Sequence, residues 1–152
     1  AAGAVLVGAV QKGSMTCNGV GFGQERATVD SDLPLRADGL AEAFRNAFAD
    51  AGMDYDHVDY RLSDLNGEQY GFKEASLAVG RTMRKRKPEF DIWHPAECYG
   101  EIGAATGPCL LSFADAAGHK GYAPGKGVLF HLSGDAGERA AMILRYEKGS
   151  LD

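Results

Sequence analysis

The densest group of reactive side chains in this sequence is WHPAECYGE, Trp93 to Glu101, which brings His94, Glu97, Cys98 and Glu101 close together in the chain. Imidazole, thiolate and carboxylate are all zinc-ligand types, yet the spacing matches no standard zinc pattern and no second cluster accompanies it, so no metal is expected. Cys98 lies just ahead of a Gly-Glu helix start, where main-chain amides lower a thiol pKa. The plainer reading is a small cysteine beside packed helices, a usage shared with Cys17 and Cys109. Among the four histidines His94 stands out, because it falls at the end of an expected parallel strand, where α/β sites gather. His57 follows an aspartate in a loop, His119 sits beside Lys120 at a helix C-terminus, and His131 alternates with Leu132 in a strand as a half-buried, satisfied histidine. The glycines of GVGFG (Gly19 to Gly23) precede no helix start and make a poor nucleotide fingerprint; no cofactor is expected.

The elements that must position these groups follow from periodicity. Gly3 to Val10 and Asn18 to Val29 read as strands. Leu40, Ala43, Phe44, Ala47, Phe48 and Ala51 fall on one face of a helix that stops at Gly52. Val58 to Leu62 alternates as a strand. A second helix, with Phe72, Ala75, Leu77, Ala78 and Met83 on its buried side, closes at Pro88, and Phe90 to Trp93 is a short strand. Glu101 to Ala117 reads as a third helix ending at Gly118. Gly127 to Leu132, the turn SGDAGE and Arg139 to Tyr146 form a terminal strand pair. This order predicts an α/β fold with a mainly parallel sheet covered on both faces and an antiparallel pair at its edge.

Composition narrows the class. The 21 glycines are about twice the usual share, but only 5 prolines and no G-X-Y period exclude collagen, and 45% hydrophobic residues exclude a disordered acidic tail. Three widely spaced cysteines point to reduced thiols in a cytoplasmic setting. No membrane span or signal peptide is legible, and a net charge of −5 argues against nucleic acid. The one basic run, Arg81 to Lys87 (RTMRKRK), reads as a solvated helix end, with an acidic partner as the sharper alternative. The opening AAGAVLVG, without methionine and inside an expected strand, predicts a piece of something longer.

Four segments, in order, resemble the C-terminal half of a thiolase-superfamily enzyme, most closely the β-ketoacyl-(acyl carrier protein) synthases. AAGAVLVG resembles the strand that opens that half. AGMDYDHVDYRLSDLNGEQYG resembles the passage ending in His-Gly-Thr-Gly-Thr, with Glu74 near a downstream glutamate. YGEIGAATG resembles the Gly-His … Gly-Ala-Ala-Gly helix start, and HLSGDAGERAAMIL the closing hairpin. The resemblance spans nearly the whole of residues 1–152. It implies a thiolase-like half-domain of order βαβαβαββ with a mixed five-stranded sheet, acting on thioesters of acyl carrier protein or coenzyme A. It also implies a missing N-terminal half bearing the nucleophilic cysteine, and a homodimer.

In such enzymes two histidines donate hydrogen bonds to a developing enolate oxygen. Carried onto this chain, the first falls on Asp64, with the following threonines on Asn66 and Glu68. The second falls on Glu101. The closing Gly-Gly-Thr-Asn becomes Ala136-Gly137-Glu138-Arg139, and a lysine falls near Ala96. Two readings stay open. Asp64 and Glu101 are solvated turn residues of a non-condensing relative or partner subunit, comparable to a chain-length factor. Alternatively they face each other, one with a raised pKa as general base, with Asn66 or His94 as donor.

Overall fold

The computed structural model describes residues 1–147. Strand β1 (Met15–Gln24) places Gly19, Gly21 and Gly23 on one face, and helix α1 (Asp38–Ala51) meets them with Ala47, Ala43 and Gly39. A Cβ on any of the three strand glycines would run into α1 main chain. Strand and helix therefore approach until their backbones touch. Asn46 Nδ2 then donates to Phe22 O, and Val20 N donates to Asp50 Oδ2, both at 2.9 Å, so α1 satisfies main-chain groups of an edge strand that would otherwise invite pairing.

A buried carboxylate from outside the helix starts α1. Its N-cap, Ala37, is left-handed (φ 56°) and offers no capping side chain. Glu25, 2% exposed, fills that role by accepting from Gly39 N and Ala27 N at 3.0 Å each, which sets a carboxylate at the positive end of the helix dipole. Gly52 (φ 62°) closes the helix with a left-handed turn, and Met53 N returns to Phe48 O.

The sheet is completed by β2 (Tyr60–Ser63), β3 (Ile92–Trp93), β4 (Gly127–Ser133) and β5 (Glu138–Tyr146), in the spatial order β1-β5-β4-β2-β3. β2 runs parallel to β3 and β4, whereas β5 runs antiparallel to β4 and β1. Helices α2 (Gln69–Thr82), α3 (Ala96–Tyr99) and α4 (Thr106–Lys120) fill the crossovers. Strand alternation then builds a core on each face. Leu129, Ala141 and Ile143 pack with Leu40 and Phe44 of α1 and Ala78 of α2. Tyr60, Leu62, Val128, Phe130 and Leu144 pack with Leu110 and Ala114 of α4. Among the described residues no helix is long and apolar enough to cross a membrane.

This is the mixed five-stranded α/β sheet expected from the sequence, with several corrections. Gly3 to Val10 forms no strand: it has no neighbour to take its main-chain groups, and Leu6 and Val7 stay 98% and 85% exposed. The antiparallel strand β5 is interior, because β1 joins beyond it as the edge. β1 ends at Gln24, five residues before the expected Val29, as Glu25 turns away to cap α1. α2 ends at Thr82, well before Pro88. α4 starts at Thr106, leaving Glu101 in the preceding coil, and it runs through Gly118 to Gly121 (φ 73°). Gly118 is a packing glycine, since its Cα lies against the Tyr146 ring with no room for a Cβ. Gly103 faces open space and adopts a left-handed turn (φ 58°).

Candidate functional site

The parallel strands β2 and β4 end side by side, with Ser63 paired to His131 in register, and the chain leaves β2 through Asp64. The turn after it is built locally: Asn66 Oδ1 accepts from Glu68 N at 3.2 Å and Gly67 is left-handed (φ 97°). Opposite, the β4–β5 hairpin closes tightly. Gly134 N donates to Glu138 O, Gly137 N donates to Gly134 O, and Gly137 (φ 97°) takes the left-handed position of a three-residue hairpin loop. Between turn and hairpin lies a cleft of about 130 Å³, lined by Asp64, Asn66, Glu68, Glu101, Asp135 and Arg139 among others.

Asp64 ties the two walls together. Its Oδ2 accepts from Ser133 N at 2.7 Å and its Oδ1 from Ser63 Oγ at 3.2 Å. Burial pushes its pKa up, and these hydrogen bonds to the ionised form pull it back part of the way. Ser63 Oγ also lies 3.2 Å from His131 Nδ1. His131 is 1% exposed, and its ring meets Phe44 edge-on at 5.4 Å. Among the described residues its Nε2 has no hydrogen-bond partner. It is therefore fully buried and half satisfied, where the sequence predicted a half-buried, satisfied residue. Burial, reinforced by the positive charges of Arg61 and Arg139, lowers its pKa to about 3.

The floor beneath is an ion pair. Arg139 Nε donates to Glu74 Oε1 at 2.8 Å, with both side chains at 2% exposure or less. Arg139 Nη1 donates to Gly134 O and Glu138 O, both at 2.9 Å, and Nη2 to Tyr70 Oη at 3.3 Å, while Tyr70 donates to Ala27 O at 2.6 Å. Burial raises the Glu74 pKa and Arg139 draws it back down. For Arg139 burial works against the charge, but the Glu74 carboxylate outweighs it and holds the guanidinium protonated.

Of the residues singled out from sequence, Asp64, Asn66 and Glu101 line this one cleft. His94 does not. It stands at the end of β3 against the Phe72 ring (5.1 Å, 87°), with Nδ1 3.3 Å from Glu97 Oε1. Cys98 is exposed on the short α3, and no trio of His, Cys, Asp or Glu among the described residues can hold a metal ion. Sequence reasoning did not assign the structural roles of Glu25, Ser63, Tyr70, Glu74 and Arg139. The available signal was a buried-strand arginine, Arg139, near the start of β5, with Glu74 on the inner face of α2 able to reach it.

The neutral state of His131 has a pH consequence. An unfolded histidine titrates near 6.5, so the unfolded chain takes up a proton that the fold refuses until about pH 3. Its contribution to stability is full above about pH 6.5 and declines as pH falls toward 3, by roughly 2–3 kcal/mol at pH 4.5. Asp64 and Glu74, raised by burial, act in the opposite sense. Urea unfolding from pH 7.5 to 4.5 should therefore show a smaller acid loss for His131→Gln than for the parent; superimposable profiles would exclude His131 as the cause.

No family model matches the chain, and no curated protein matches it. Solved structures do. A chain of the complex between a type II polyketide synthase acyl-carrier protein and its ketosynthase bound to the hexaketide superposes with TM-score 0.74 at 16% identity, over 85% of this chain and 38% of its own. A chain of the Xenorhabdus doucetiae complex of the ketosynthase ApeO with its chain length factor ApeC gives 0.74 at 13% identity, over 90% and 40%. The oxazolomycin ketosynthase domain OzmH KS8 of Streptomyces albus JA3453 gives 0.66 at 15% identity, over 90% and 46%. The fold is that of a thiolase-like half-domain. This half-domain spans less than half the length of the solved chains it matches, and at these identities the likeness is one of fold. Its cleft, set beyond the ends of β2 and β4 as α/β sites are, is walled by carboxylates and floored by an arginine already bound to Glu74.

Proposed function

We propose that the chain is the C-terminal half of a β-ketoacyl-synthase-like protein that has lost condensation and serves as a scaffold or partner subunit. It would pair with an N-terminal thiolase-like half and work beside acyl thioesters of acyl carrier protein or coenzyme A, in the cytoplasm and as a homodimer. One observation carries this reading. At the position where the resemblance implies an imidazole donor, Asp64 accepts a hydrogen bond on each oxygen from the protein itself, Ser63 and Ser133, and so supports the hairpin. A developing enolate needs donors, and a cleft bearing Asp64, Glu68, Glu101 and Asp135 presents it with negative charge instead. The second reading, a carboxylate acting as general base, draws on two facts: Asp64 and Glu101 share the cleft, and burial raises the Asp64 pKa.

The full-length protein, incubated with labelled acyl and malonyl thioesters, is expected to yield neither condensed product nor decarboxylation above background. The Asp64→Asn, Glu101→Gln double variant should leave that result unchanged while the protein still co-purifies with a co-expressed ketosynthase-fold partner. Turnover in the parent that falls a hundredfold or more in the double variant would sink the scaffold reading in favour of the carboxylate base.

A further inference from the structure

Helix α2 begins beside the acidic cleft and ends, 14 residues on, beside a larger one. At 1.5 Å per residue the two clefts are about 20 Å apart. The second, about 370 Å³, lies between the end of α1, the turn entering β2 and the residues leaving α2. Phe48, Met53 and Tyr55 line it, and Arg45, Arg84 and Lys85 stand around it. The Phe48 and Tyr55 rings pack at 4.6 Å and keep 8% and 9% exposure. The polar atoms at its base are occupied: Tyr55 Oη and Thr82 Oγ1 are 2.6 Å apart, and Thr82 Oγ1 donates to Ala78 O at 2.7 Å.

Its charge is unusual for a chain of net −5. Within the run Arg81 to Lys87 the two end residues are engaged, Arg81 with Asp38 at 2.6 Å and Lys87 with Val58 O and the Phe90 ring. Arg84, Lys85 and Arg86 are exposed, as is Arg45 on α1, and none forms an ion pair among the described residues. Two carboxylates share the cleft. Asp54, hydrogen-bonded to His57 at 2.8 Å, stays ionised and acts with Asp56 as an opposing charge, so Arg45, Arg84 and Lys85 exceed the carboxylates of the cleft by one and Arg86 adds to the excess beside it. Small-molecule pockets rely on a few buried polar anchors, and here those atoms are spent internally while the positive charge runs beyond the cleft to Arg86. A surface of this shape suits an extended partner.

We propose that this face docks an acidic segment of a partner protein, whose carboxylates lie against Arg45, Arg84, Lys85 and Arg86 and whose one aliphatic side chain covers Phe48, Met53 and Tyr55. The docking goes beyond the scaffold reading and stands or falls apart from it, because no residue of the strand-end cleft takes part. Single exposed ion pairs contribute little, so recognition rests on the cluster, is salt-sensitive, and needs the apolar contact at its centre. The probe is a fluorescein-labelled helical peptide of 16 residues with glutamates at i, i+3 and i+4 spacing around a single leucine, titrated with full-length protein and read by anisotropy. Binding in low salt is expected to weaken at least tenfold in the Arg45→Glu, Arg84→Glu, Lys85→Glu variant, whose circular dichroism and urea midpoint match the parent. It should weaken several-fold when the peptide leucine becomes serine, and remain unchanged in Asp64→Asn. Absence of binding to the parent, equal binding by the charge-reversed variant, or equal binding of the serine peptide would each overturn the proposal. Displacement of the peptide by 1 mM ATP at constant ionic strength would overturn it too, in favour of a small-anion site.

Discussion

Replacing Glu74 by alanine is expected to cost about 3–5 kcal/mol of stability, read as a large drop in the urea midpoint. The loss comes from what remains: the guanidinium of the buried Arg139 would keep its charge with no counter-charge at 2.8 Å. Arg139→Met alone should be comparably harmful. It strands the Glu74 carboxylate and also releases Gly134 O and Glu138 O, which the guanidinium holds to shape the hairpin. The double variant Glu74→Leu, Arg139→Met removes both buried charges and is expected to recover a substantial part of either single loss, because a buried pair is worth much less than the penalty of breaking it. If the single variants unfold within about 1 kcal/mol of the parent, the pair is not buried in solution. In that case the floor assigned to the cleft is wrong.

Gly21→Val should separate β1 from α1. The bare Cα of Gly21 lies against Ala43 and Ala47 main chain, and a side chain there has rigid backbone to displace and no flexible neighbour to push aside. The expected loss is about 3 kcal/mol or more, at the upper end of overpacking costs. The hydrogen bonds Asn46 to Phe22 O and Val20 N to Asp50 should open with it, so amide exchange at Val20 should accelerate relative to β4. At Gly52, where the left-handed backbone faces open space, alanine should cost only about 1 kcal/mol. Equal losses at Gly21 and Gly52 would refute the close approach. The same unfolding experiment compares all three proteins.

Some of this architecture is legible along the chain. The spacing of Leu40, Ala43, Phe44 and Ala47 places α1, and Gly52 ends it, because an amphipathic face and a left-handed C-cap are both properties of adjacent residues. Gly3 to Val10 misleads for the complementary reason: its residues favour extended backbone, but a strand also requires a neighbouring strand, and none lies beside it. Gly118 carries the signature of a helix stop, and the ring of Tyr146, distant in sequence, makes it a contact point instead.

The cleft divides in the same way. Asp64 and Glu101 are noticeable in the sequence through the resemblance, and the fold sets both on one cleft while leaving His94 against Phe72 and Glu97. Glu25 as the cap of α1 could not be read from spacing, since it precedes Gly39 by 14 residues and no local rule joins them. By itself the sequence determined the α/β class, the inner face of α1 and the alternation of strands and long helices from β1 onward, all of which follow from interactions between near neighbours in the chain. Only the tertiary structure decided that β5 lies between β1 and β4 and that Glu25, Glu74, His131 and Arg139 lose their water. Desolvation and charge pairing depend on which groups meet in space, and residues separated by 65 positions, such as Glu74 and Arg139, meet only once the sheet has closed around them.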